Sequence, residues 1–139
     1  MTYSPKTFNL PALTGISEKQ IKVHLALYEG YVKHVNLIAE TLKAYASYGD
    51  KASEGDKLAI AELRRRFGFE FDGMRLHEYY FEQLEVGSTP LTTSGAFGKA
   101  IAEKYGDKGL EAHIREVAGS RGIGWVVVYY DPMGKLLHT

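Results

Sequence analysis

With 139 residues, 45% hydrophobic and 24% charged side chains, the chain has the make-up of one or at most two globular units, which excludes disordered, collagenous and membrane-embedded classes. Its 17 Lys and Arg balance 17 Asp and Glu, so the basic excess with which a duplex-binding domain replaces condensed counterions is missing and no nucleic-acid partner is expected. Cysteine is absent, which removes disulfides and thiolate chemistry, and the start of the chain has no apolar stretch behind a basic head, so a cytosolic protein without a membrane anchor is expected.

Residues 1 to 16 scatter Pro5, Pro11 and Gly15 among isolated apolar side chains, the composition of an extended arm lying on a body. A long helix is predicted next. Ser17 with Gln20 makes a capping box, and apolar positions recur at Ile21, His24/Leu25, Tyr28, Tyr31/Val32, Val35, Ile38/Ala39, Leu42 and Tyr45, one buried face over about eight turns. Polar turn chemistry at Ser47 to Gly55 then separates this helix from a second, predicted from about Asp56 to Leu84. Its facing positions are Ala59, Leu63, Phe67, Met74, His77, Tyr80/Phe81 and Leu84, with Gly68 and Gly73 as points where it could bend or stop. Two long helices joined by a short turn make an antiparallel hairpin.

Gly87-Ser88-Thr89-Pro90-Leu91 breaks the periodicity and marks a boundary, giving an N-terminal arm and helical hairpin over 1–89 and a partial α/β domain over 90–139. In the second part Ser94 to Tyr105 and Lys108 to Ala118 read as short helices. Trp125-Val126-Val127-Val128-Tyr129-Tyr130 reads as a buried strand, Asp131-Pro132-Met133-Gly134 as a turn and Lys135 to Thr139 as a return strand. The expected fold class is α+β: a long-helix hairpin followed by a small, incomplete α/β part with short helices and a β-hairpin.

Of the five histidines, two combine. His24 lies about 24 residues before the turn between the long helices and His77 about 21 after it, so at ~1.5 Å per residue they stand at nearly the same level. Each falls on its helix's apolar face, where facing helices of a bundle build metal sites from inward side chains. Two neutral imidazoles fall short of a full site, however, and a histidine on an apolar face is also found as a plain core residue. His34 lies on another side of the first helix and is expected to be solvated, while His113 and His138 have no matching partner. Tyr31, seven residues beyond His24, points within about 20° of the same direction, which sets its hydroxyl near any metal or pocket formed there, and it serves equally as a core side chain; the lone Trp125 could wall a small-molecule site, but a lone tryptophan is more commonly a core side chain. Arg64-Arg65-Arg66 reads as a solvated helix face. The glycine-rich run Gly119 to Gly124 precedes a strand instead of following one, which rules out a dinucleotide loop.

Leu10-Pro11-Ala12-Leu13 with Ile16-Ser17 leading to His24, the segment Met74-Arg75-Leu76-His77-Glu78-Tyr79-Tyr80-Phe81, and Gly122-Ile123-Gly124-Trp125-Val126-Val127 followed by Gly134-Lys135-Leu136 together resemble the iron/manganese superoxide dismutase family in order and spacing. The resemblance covers essentially the whole chain. It implies dismutation of superoxide to dioxygen and hydrogen peroxide at one Fe or Mn ion, with His24 and His77 as the first two ligands, Tyr31 as a proton relay and Trp125 keeping the cavity dry. Family members complete the site with an aspartate and a third histidine from an Asp-x-Trp-x-His-like segment that these residues do not contain. A natural truncation, a fragment, or a chain completed by a second polypeptide is therefore expected, with the ion weakly held or absent and the isolated chain a poor catalyst. Partners left open are a homo-oligomer or that second chain. The alternative is a catalytically incompetent relative acting as a binding or structural module. In the family the tyrosine follows the first ligand by eight residues, where this chain has Val32, and iron-type members often carry glutamine at the position of Gly73.

Overall fold

A computed structural model describes residues 2–87 and 89–139. The chain divides into two compact units, Met1–Ser88 and Thr89–Thr139; Ser88, inside the expected break, lies outside the described residues. The first unit holds two long helices, α1 (Glu18–Ala46) and α2 (Glu54–Glu82), joined across a 3₁₀ turn at Gly49–Lys51. The second holds α3 (Ala96–Tyr105), a 3₁₀ turn at Gly106–Lys108, α4 (Gly109–Ala118) and a hairpin of β1 (Tyr129–Asp131) and β2 (Leu136–His138). The fold is α+β. No described helix is long and apolar enough to cross a membrane.

Both long helices begin on reciprocal caps. Ser17 accepts from the Gln20 backbone N–H while the Gln20 side chain accepts from that of Ser17, and Ser53 and Asp56 do the same for α2, satisfying donors that a helix start leaves open. The second cap starts α2 at Glu54, two residues before the position expected from periodicity. Nor does α2 break at Gly68 or Gly73. A glycine in a helix interior costs about 1 kcal/mol, whereas each fully buried apolar side chain contributes roughly 1.5–3 kcal/mol, so packing outweighs local propensity here. That packing comes from Tyr28, Val32 and Val35 of α1 against Met74 and Phe81 of α2, all at most 2% exposed.

The arm before α1 is extended and pinned to the hairpin. The Asn36 side chain holds Tyr3 through both its backbone N–H and its carbonyl, each at 2.8 Å. The Tyr28 hydroxyl accepts from the Lys6 N–H at 2.9 Å, and Glu85 accepts from the Asn9 N–H at 2.7 Å. Phe8 fits edge-on against Tyr28, with ring centroids 5.7 Å apart.

In the second unit the expected buried strand over Trp125–Tyr130 is corrected. Only Tyr129 and Tyr130 of that run enter a ladder. Trp125 and Val127 are each 38% exposed, and Tyr129 and Tyr130 more than half. Within the hairpin Tyr129 pairs with His138 and Asp131 with Leu136. β-branched side chains favour a strand, but a strand is buried only when other elements cover it. The connecting turn is held by Asp131, whose carboxylate accepts from the Met133 and Gly134 N–H groups at 2.9 Å each.

Candidate metal centre

His24 on α1 and His77 on α2 face each other across the hairpin, with ring centroids 4.8 Å apart and planes at 75°. The equal lengths of the two helical arms put them at one level, and each sits on its helix's apolar stripe. His77 is 2% exposed; its Nδ1–H donates to the Gly73 carbonyl, one turn earlier, at 2.6 Å. A carbonyl only accepts, so this bond fixes the proton on Nδ1 and leaves the lone pair on the buried Nε2. A ring nitrogen tied back to a backbone carbonyl is also how metal-binding histidines are oriented.

Burial lowers the pKa of His24, and the proximity of His77 adds to the effect. Burial likewise lowers that of His77, against the opposing influence of its bond to Gly73. With an ordinary imidazole near pKa 6.5, both rings are neutral at pH 7, the state in which a histidine offers an electron pair to a metal. Phe81 and Tyr80 stand against His24, each with centroids at 5.1 Å, and Tyr28 stacks on His77 at 6.3 Å. A shallow cleft lined by Lys19, Gln20, Val23, His24 and Leu27 opens His24 to solvent.

Tyr31 is brought to the pair: its ring centroid is 5.1 Å from that of His77. Val32, at the family's usual tyrosine position, is instead buried in the core at 2% exposure. Trp125 belongs to the second unit, in the irregular segment before β1. His34 is half exposed with its Nδ1 3.6 Å from the Glu70 carboxylate; His113 packs on Tyr105 and His138 on Tyr129. In the Arg64–Arg66 run, Arg65 pairs with Glu62 on the surface.

Two buried carboxylates on α2 went unseen in the sequence. Glu70 is 2% exposed and Glu78 3%. Arg66 Nε donates to Glu70 at 2.6 Å. Glu78 takes Arg75, Lys6 at 3.5 Å and the Tyr28 hydroxyl at 3.1 Å. Their signal was helical phase: Glu70, Met74, Glu78 and Phe81 recur at four, four and three residues, the spacing of one face. With these carboxylates held by cations, no group of three or more His, Cys, Asp or Glu among the described residues is placed to hold a metal ion. The imidazole pair suits iron or manganese as a partial donor set, since non-haem iron sites add a carboxylate to two histidines.

The chain is 35% identical over 123 residues to the iron superoxide dismutase of Aquifex pyrophilus, an alignment taking in 86% of the chain and 56% of that enzyme. It is 30% identical over 115 residues to the manganese/iron superoxide dismutase of Propionibacterium freudenreichii subsp. shermanii, covering 81% of the chain and 54% of the relative. To manganese superoxide dismutase 2 of Haloferax mediterranei it is 28% identical over 111 residues, 79% of the chain and 72% of the relative. The chain is similar to iron/manganese superoxide dismutases. It spans about half the length of the first two of these dismutases. No protein-family model and no solved structure matches it.

Proposed function

We propose that this chain carries the N-terminal half of a superoxide dismutase metal site, with His24 and His77 as two ligands of one iron or manganese ion and superoxide as substrate. The observation that carries the proposal is the convergence of two neutral, half-buried to buried imidazoles from different helices, 4.8 Å between centroids. Bound iron or manganese would supply the one-electron redox chemistry. The chain's own residues would do the rest. Gly73 orients His77 through its carbonyl, Tyr28 and Phe81 help keep water from the buried His77 ring, Tyr80 and Phe81 pack against His24, and Tyr31 holds a phenolic proton beside His77. Trp125 enters through the family resemblance alone, as an apolar side chain that excludes water. Further donors would come from polypeptide outside these 139 residues, in a longer form or a second chain.

Metal analysis and a superoxide assay test this. Uptake of one Mn²⁺ or Fe²⁺ per chain that falls at least tenfold in affinity in His24→Ala and in His77→Ala, with slow turnover by the isolated chain, supports the proposal; unchanged uptake in either variant refutes it. A second reading, a non-catalytic binding or structural module, is favoured by the absence of a third donor among the described residues and by the bare apolar side chains of the second unit. Self-association without metal uptake or turnover would decide for it.

A further inference from the structure

We propose that Gly73 is the positioning residue of the imidazole pair: its missing side chain forms the notch that seats the Tyr31 ring beside His77, while its carbonyl fixes the His77 ring. The backbone at Gly73 is ordinary helix, which alanine adopts, and glycine there is disfavoured about fivefold against alanine. Something other than backbone conformation must favour it. A Cβ built at Gly73 would lie 2.4 Å from Tyr31 Cε1, 2.5 Å from Cδ1 and 2.9 Å from Cζ, closer than real side chains approach. At Gly30 and Gly68, the other glycines deep in the long helices, a Cβ meets nothing within 4 Å. The ring that fills the Gly73 notch is the one centred 5.1 Å from His77, and the same residue's carbonyl receives the His77 Nδ1–H at 2.6 Å. Any side chain at 73 would expel the Tyr31 ring from its seat. This coupling explains how a tyrosine seven residues after His24, where Val32 is buried in the core, still reaches the pair.

The functional consequence rests on the metal-site proposal, but the test uses the metal-free full chain, so the two fail separately. Gly73→Ala, Tyr31→Ala, Tyr31→Phe and the Gly73→Ala/Tyr31→Ala double variant are compared by urea unfolding and by NMR of the His77 ring resonances. In the native background Gly73→Ala should lower the folding equilibrium constant about tenfold or more, a coupling within the range for contacting pairs, and shift the His77 ring resonances. With Tyr31→Ala already present it should be neutral or favourable by up to about fivefold. Tyr31→Phe should leave the His77 resonances near native and Tyr31→Ala should move them. Should Gly73→Ala not fold, the double variant must fold; failure of both overturns the proposal. Equal loss in both backgrounds, or a stabilised Gly73→Ala chain with unmoved His77 resonances, also overturns it.

Discussion

Replacing Tyr28 by phenylalanine removes one oxygen that ties together the arm, α1 and α2. The hydroxyl donates to Glu78 at 3.1 Å and accepts from the Lys6 N–H at 2.9 Å, and burial holds the phenol above its ordinary pKa, so it is protonated wherever the protein is handled. Tyr28 is 1% exposed, and the exchange conserves ring volume, so no cavity term enters. A bond to a charged acceptor contributes about 1.5–3 kcal/mol. Glu78 keeps Arg75 and Lys6, which places the expected loss near the lower end, about 2 kcal/mol, and for a unit of this size that lowers Tm by roughly 8–16 °C. Circular dichroism melts of the full chain measure the loss. Hydrogen exchange localises it: the Lys6 amide should exchange faster, while the Tyr3 amide, held by Asn36, should not. An unchanged melt, or equal exchange at Lys6 in both proteins, would refute the network as the tie between arm and hairpin.

Met74, fully buried between the helices, should lose about 2–5 kcal/mol on truncation to alanine, the range for emptied core sites; urea unfolding measures it, and a loss under about 1 kcal/mol would mean that the hairpin core collapses around the gap. Stability should also depend on pH through the histidine pair. Folded His24 and His77 have lowered pKa values, so below about 6.5 the unfolded chain binds protons that the folded pair refuses. Stability is therefore full above that value, falls as pH drops through it, and levels off once the folded rings protonate. Urea titrations from pH 8 to pH 5 should show this slope, reduced in His24→Ala and in His77→Ala; a flat profile in the native chain would contradict the burial of neutral rings.

The helical hairpin was legible in the sequence because two independent signals agreed: capping chemistry at Ser17 and a single apolar face from Ile21 to Tyr45. The level of the two histidines followed from arm length alone. At the start of α2 the cap was harder to read, since Asp56 stands where glutamate or glutamine is the usual signature. Glu70 and Glu78 escaped notice because a charge suggests solvent more strongly than helical phase suggests burial; their partners Arg66, Arg75 and Lys6 are what make burial tolerable. The run from Trp125 to Tyr130 misled for the opposite reason. Its β-branched composition is intrinsic to the residues, whereas coverage depends on elements packed against them. The notch at Gly73 could not be read at all without knowing where the Tyr31 ring lies, because glycine in a sequence signals only the absence of a side chain.

Paramagnetic titration of the full chain with Mn²⁺ at pH 7.5 tests most directly whether two distant imidazoles bind one cation. Ring-proton resonances of His24 and His77 should broaden together at substoichiometric Mn²⁺ while those of His113 and His138 stay sharp, and removing either ring as His24→Ala or His77→Ala should protect the other from broadening at the same concentration. Broadening of one ring without the other, or uniform broadening of all five histidines, would contradict a shared site.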